Sequence, residues 1–193
     1  LRTVSAPRRV RPRPGPEISS AMKAVPLTLE PRPLLVGERL NSQGSRKVKE
    51  LLIADDYPGL LQIARGQVEA GAHVLDVCVA LNERDDEGAQ MRALVRLLAQ
   101  AVDAPLMIDS TEADVIESAL KVYPGRCIVN SFNLEKGGER VRKVLPLVKR
   151  WGLKPVLICG IVASAAQYPI LAQVNGVGPM LIALVVVTSI GSV

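Results

Sequence analysis

The chain has a single histidine, His73, and three cysteines, Cys78, Cys127 and Cys159. His73 has no Cys or His close to it in sequence, so no metal site is expected. The cysteines lie far apart, each in an apolar run, and an odd count without short spacing argues against a disulfide framework or a zinc knuckle. Reduced, buried thiols in a cytoplasmic domain are expected instead. The fingerprint G-x-G-x-x-G is missing after the first apolar run, which counts against a dinucleotide site. The basic N-terminal stretch is followed by no apolar core, so no signal peptide is expected.

Charge is present but uneven. Residues 1–33 carry seven Lys or Arg against two acids, and seven of the fourteen prolines. "PRRVRPRPGPE" therefore reads as a stiff, solvated linker, with residues 1–33 largely disordered. Those arginines have no aromatics interleaved among them and no recognition fold after them, so nucleic acid is not an expected partner.

From Leu34 a rhythm sets in. "LLVG" (34–37) is a short apolar run. Residues 45–72 have helical spacing, which Pro58 divides into two helices, with the proline in the first turn of the second. Gly71 suits the C-terminal cap of that second helix. "HVLDVCVA" (73–80) is rich in apolar and β-branched residues and reads as a buried strand. Helices over 87–102, 111–123 and 138–152 alternate with strands at 104–109 and 127–131, Ser110 or Thr111 capping the helix at 111 and Gly125 ending it. Short, wholly apolar strands alternating with helices imply parallel strands buried on both faces. About four βα units fit between residues 34 and 152. An open doubly wound sheet and a (β/α)8 barrel both suit that pattern.

Polar residues punctuate the strands: Glu38 and Asn41 after the first, Asp76 within the second, Asp109 after the third, Asn130 after the fourth. Each has a plain structural explanation. Asp109 could cap a helix, Asn130 close a turn, Asp76 accept backbone N–H groups, and Glu38 pair with Arg39 or Arg46. Their shared placement favours a common polar site, because the C-terminal strand ends of a parallel barrel line its active site and a buried carboxylate needs partners. An inward carboxylate can take two parallel hydrogen bonds from an N–C–N edge such as an aminopyrimidinone, and Asn adds one donor and one acceptor. That inventory suits a flat, neutral heterocycle such as a pterin better than a phosphate.

The stretches "VGERLNSQGSRKVKELL", "ARGQVEAGAHVLDVCVA" and "PLMIDSTEADVIESALKVYPGRCIVNSFNLEKG" resemble the pterin-binding (methyltetrahydrofolate-binding) domain of cobalamin-dependent methionine synthase. That domain shares its superfamily with corrinoid-protein methyltransferases and dihydropteroate synthase. The resemblance covers about residues 34–152, and it implies an α/β fold, the first half of a (β/α)8 TIM barrel. It further implies that Asp109 and Asn130 hydrogen-bond the pterin ring while Asn41 and Asp76 line the same pocket. The implied reaction passes a methyl group from methyltetrahydrofolate to a cobalamin on a partner module, not bound by this chain, and on to homocysteine held by another module. Those modules are expected in the same polypeptide or in another. The residues acting at the methyl-bearing nitrogen are expected on later strands, so no catalytic residue is assigned.

Residues 155–193 contain no Asp, Glu, Lys, Arg or His. "PVLIC" could form a fifth strand; the remainder, and residues 153–193 as a unit, do not resemble the family. "VGPMLIALVVVTSIGSV" (177–193) approaches the length of a membrane span, so membrane contact is expected only through 155–193. The sequence thus reads as a truncated or chimeric methyltransferase fragment, with a foreign tail from a frame shift, fusion or assembly join, or else with a genuine but divergent completion of the barrel. The alternative is a non-catalytic, membrane-associated fragment with a remnant half-barrel.

Overall fold

A computed structural model of the chain describes residues 17–130 and 139–150. Its centre is a parallel four-stranded sheet in which β3 (Val36–Asn41), β4 (Val74–Cys78), β5 (Leu106–Asp109) and β6 (Ile128–Asn130) lie side by side in chain order. Ahead of them stands a two-stranded antiparallel hairpin, β1 (Glu17–Ser19) and β2 (Ala24–Pro26). The helices are α1 (Arg46–Ile53) and α2 (Tyr57–Glu69) after β3, α3 (Glu87–Ala101) after β4, α4 (Ala113–Leu120) after β5 and α5 (Glu139–Arg150) after β6.

Strand parity separates a helix-facing side from an inner side. Leu40, Leu75, Val77, Leu106, Ile108 and Val129 share one core with the helices. The alternate positions Val36, Val74, Met107 and Ile128 form a second cluster with no helical member. Unbroken strand order with every helix on one side is the arrangement of a barrel wall; a doubly wound sheet reverses its order and carries helices on both faces. The α/β fold is therefore a partial barrel.

Local chemistry explains the helix ends. The Ser45 hydroxyl accepts the Val48 N–H at the start of α1, and Asp56 accepts the Gly59 N–H at the start of α2, whose first turn contains Pro58. Gly71 takes φ +95° just past α2, a conformation that strains residues with a Cβ. The break at Pro58 and the stop at Gly71 match the sequence reading.

Three local expectations are corrected. The first strand begins later than "LLVG" and runs on to Asn41, so Glu38 lies inside it. The helix expected over 111–123 spans Ala113–Leu120 with Glu112 at its N-cap position, and neither Ser110 nor Thr111 caps it. Ser110 is drawn instead into contacts at the end of β5. Gly125 does not end α4; it lets Ser19 approach, and a Cβ there would collide with the Ser19 carbonyl. Ser19 and Arg126 exchange backbone hydrogen bonds of 2.9 and 2.8 Å at that crossing.

The linker reading of residues 1–33 is corrected for the hairpin at 17–26. Ile18 and Val25, 1% and 3% exposed, seat the hairpin against Val36, Val74, Met107 and Ile128. The Tyr123 hydroxyl donates to the Ser19 carbonyl (2.9 Å) and accepts the Leu106 N–H (3.1 Å). The Ser20 hydroxyl donates to the Asp103 carbonyl at 2.7 Å. Two apolar side chains at the paired positions of a short hairpin are enough to plug the inner side at the N-terminal strand ends. Residues 1–16, and the fifth strand and tail expected within 153–193, lie outside the described residues. Among the described residues no helix is long and apolar enough to cross a membrane.

Candidate functional site

The inner side changes character along the strands. Val36, Val74, Met107 and Ile128 make its apolar floor. Two residues further on, the same parity brings Asp76, Asp109 and Asn130, with Asn130 directly opposite Asp109 in the β5–β6 register. Asn41 and Cys78 are likewise opposite each other in the β3–β4 register.

On β3 a bulge delivers Asn41 to this face. Gly37 pairs with Leu75 and Leu40 with Val77, so Glu38 and Arg39 together stand opposite Asp76. The Arg39 N–H, displaced from the ladder, donates to Gln67 Oε1 of α2 at 2.7 Å. Gly37 makes room for that contact: a Cβ there would lie 2.7 Å from the same oxygen.

The Asn41 side-chain amide then spans two carboxylates, donating to Asp76 Oδ2 at 3.0 Å and to Asp109 Oδ2 at 3.1 Å. Its own Oδ1 accepts the Gln43 N–H at 2.9 Å, which fixes the amide's orientation. Asp76 is 2% exposed, and its Oδ1 is buried without a hydrogen-bond partner. Burial pushes the Asp76 carboxyl up to about 7; the Asn41 hydrogen bond opposes this, and the charges of Asp109 and Glu38 add to it. Asp109 is raised for the same leading reason, again against the Asn41 hydrogen bond, with Glu38 and Glu87 contributing repulsion. A buried polar oxygen without a partner is costly. The arrangement is suited to a ligand edge that presents N–H donors.

Loop residues hold the strand ends in place. The Ser42 N–H donates to the Cys78 carbonyl (3.1 Å), and its hydroxyl donates to the Ala80 carbonyl (2.7 Å). The Ser110 N–H donates to the Asn130 carbonyl (3.1 Å), and its hydroxyl donates to Glu87 Oε1 (2.9 Å). In the loop after β4, the Arg84 guanidinium grips Asp86 at 2.6 Å and Asp55 at 3.0 Å, which holds both carboxyls below their ordinary value. Burial pushes the Cys78 thiol up to about 11, so it is not an ionised nucleophile at neutral pH. His73 Nδ1 accepts the Leu35 N–H at 2.9 Å, a structural role. Among the described residues no group of three or more His, Cys, Asp or Glu is placed to hold a metal ion.

Of the residues singled out from sequence, Asn41, Asp76 and Asp109 are in direct contact, and Asn130 stands beside Asp109. Glu38 acts on both aspartates through charge, and Arg46 pairs with Glu50. The roles of Ser42, Ser110, Glu87 and Gln67 were not evident from sequence. The one available hint was a serine immediately after Asn41 and another immediately after Asp109.

A family model described as "Pterin binding enzyme" matches residues 37–167. The match continues past Gly152, where the resemblance was expected to stop, through the segment containing "PVLIC". Methionine synthases of Mycobacterium leprae (strain TN) and Mycobacterium tuberculosis (strain ATCC 25618 / H37Rv) are each 40% identical over 146 residues, covering 74% of this chain. The chain spans 12% of the length of those relatives. A solved structure of Yersinia pestis DHPS with a pterine-sulfa conjugate superposes with a TM-score of 0.53 at 18% identity, covering 82% of this chain and 55% of that one. At that identity the likeness speaks for the fold alone.

Proposed function

The chain belongs to the pterin binding enzyme family, and from that premise we propose that its inner strand ends form the pterin-binding part of a methyltetrahydrofolate-dependent methyltransferase. The observation that carries this reading is the Asn41 amide tying Asp76 to Asp109 beside Asn130, with Asp76 Oδ1 buried and unpartnered. Asp109 would accept the paired N–H donors of the aminopyrimidinone edge. Asn130, opposite it, would supply a donor and an acceptor to the ring. Asn41 and Asp76 would hold Asp109 in place and close the buried end of the pocket.

The relatives' name points to methionine synthesis as the reaction. In that reading the methyl group leaves the tertiary ring nitrogen of methyltetrahydrofolate for a cobalamin on a partner module, and passes on to homocysteine on another. The cobalamin supplies the nucleophile. The N–CH3 bond breaks with its electron pair left on nitrogen, so this step needs a proton or strong hydrogen bonding at that atom. The contribution of this chain is orientation of the ring by a polar layer that rests on an apolar floor.

Calorimetric titration of the chain with methyltetrahydrofolate tests the proposal. Saturable binding that is lost in Asp109→Ala supports it. No heat of binding from a folded sample, or full affinity in Asp109→Ala, overturns it.

A further inference from the structure

Two ligand-facing residues on different strands are each followed by a buried serine. Ser42 follows Asn41 and is 6% exposed; Ser110 follows Asp109 and is 3% exposed. Both make the same pair of contacts. Each backbone N–H donates to a carbonyl at the end of the next strand, Ser42 to Cys78 on β4 and Ser110 to Asn130 on β6. Each hydroxyl donates to the βα loop beyond β4 or its helix, Ser42 to the Ala80 carbonyl and Ser110 to Glu87 at the start of α3. The Ser110 hydroxyl also accepts the Glu112 N–H at 3.1 Å.

Capping α4 would not require this construction. The Ser110 hydroxyl joins three segments at one atom: the end of β5, the first turn of α3 and the approach to α4. Asp109 precedes Ser110, whose backbone N–H donates to the Asn130 carbonyl, so a hydroxyl that fixes Ser110 also fixes the backbone from which both side chains project. We propose that Ser110, with Ser42 as its weaker counterpart, is a positioning residue that holds the site's carboxylate and amides at binding distance. Ser42 is the weaker because Gln43 Nε2 also donates to the Ala80 carbonyl, at 2.8 Å, and would remain after its removal. The inference rests on the pterin reading for its ligand, but the geometry it describes does not.

The test uses the full chain and four variants: Ser110→Ala, Ser110→Thr, Ser42→Ala and Ser45→Ala. Ser45 caps α1 away from the strand ends and serves as a control that costs stability alone. Methyltetrahydrofolate affinity is expected to fall roughly tenfold in Ser110→Ala and about threefold in Ser42→Ala, the scale of one buried hydrogen bond. Ser110→Thr, which keeps the hydroxyl, and Ser45→Ala are expected to stay near wild type.

A second readout needs no ligand. The groups whose charge acts on Asp109 are Glu38 from β3 and Glu87 from α3, and Asp76 lies beside it through Asn41. Without the Ser110 hydroxyl, Glu87 loses the contact that holds it near the end of β5, so its repulsion of Asp109 should weaken and the Asp109 carboxyl midpoint, followed by carbon NMR, should fall. Wild-type affinity in folded Ser110→Ala, or an unmoved Asp109 midpoint, overturns the inference. Failure of the unmodified chain to bind would overturn the pterin reading, and the Asp109 midpoint would then decide the positioning role by itself.

Discussion

Asn41 donates to Asp76 across the β3–β4 boundary at 3.0 Å, and the same nitrogen reaches Asp109 on β5 at 3.1 Å. One amide therefore holds two carboxylates that would otherwise repel each other in a poorly solvated place. Its two N–H groups are used, and its oxygen is occupied by the Gln43 N–H.

Replacing Asn41 with Ala should leave Asp76 and Asp109 facing each other without a shared donor. Both carboxyls would rise further, since the Asn41 hydrogen bond lowers each of them. The expected cost is about 1–3 kcal/mol of stability, the range for stranding buried acceptors. Urea unfolding at neutral pH measures it. Wild-type stability in the variant would show that the bridge contributes little.

The buried Asp76 gives stability a definite pH dependence. Its native carboxyl is at about 7 against an ordinary 3.8. Between those values the unfolded chain has released a proton that the native chain still holds. Native stability should therefore fall as pH rises from about 4 to about 7, and this contribution should level off above that. Asp76→Asn removes the group, so the variant should gain on wild type through that window, by an amount on the order of a few kcal/mol. Melting temperatures of both proteins at several pH values check the sign. Parallel curves would refute it.

The alternation of elements was readable because apolar runs of strand length and helical period leave a strong imprint on sequence. Asp109 and Asn130 were readable as strand-end residues for the same reason. Three features were hidden, each set by contacts between distant parts of the chain. The bulge at Glu38–Arg39 depends on which β4 residues stand opposite β3. The seating of Ile18 and Val25 depends on a floor of four residues drawn from four strands. The proline and arginine content of the N-terminal stretch masked it, since composition averages over a hairpin only ten residues long, 17–26. The serine contacts need the loop after β4 folded back over the strand ends.

The bulge offers a test by double substitution. Gly37→Ala would place a methyl group 2.7 Å from Gln67 Oε1, the oxygen that accepts the Arg39 N–H. Gln67 must shift, and the bulge loses its partner, at an expected cost of about 1–3 kcal/mol. In a Gln67→Ala background the collision is gone, so the same Gly37→Ala change should cost less. Strictly additive losses across the cycle would mean that the two residues do not act together.

The hairpin makes the last prediction. Ile18 is 1% exposed and rests on Val36, Val74, Met107 and Ile128, which belong to all four strands of the sheet. Truncating it to Ala should cost about 2–5 kcal/mol, as expected for a large aliphatic side chain in a core that cannot collapse around the gap. A disordered linker would predict almost no change. Thermal unfolding of Ile18→Ala separates the two, and Met22→Ala at the exposed hairpin tip (57% exposed) is the matched control expected to be neutral. Because the floor supports the layer carrying Asp76 and Asp109, Ile18→Ala should also weaken methyltetrahydrofolate binding if the pterin reading holds. Equal melting temperatures for Ile18→Ala and wild type would remove the hairpin from the folded unit and return it to the linker.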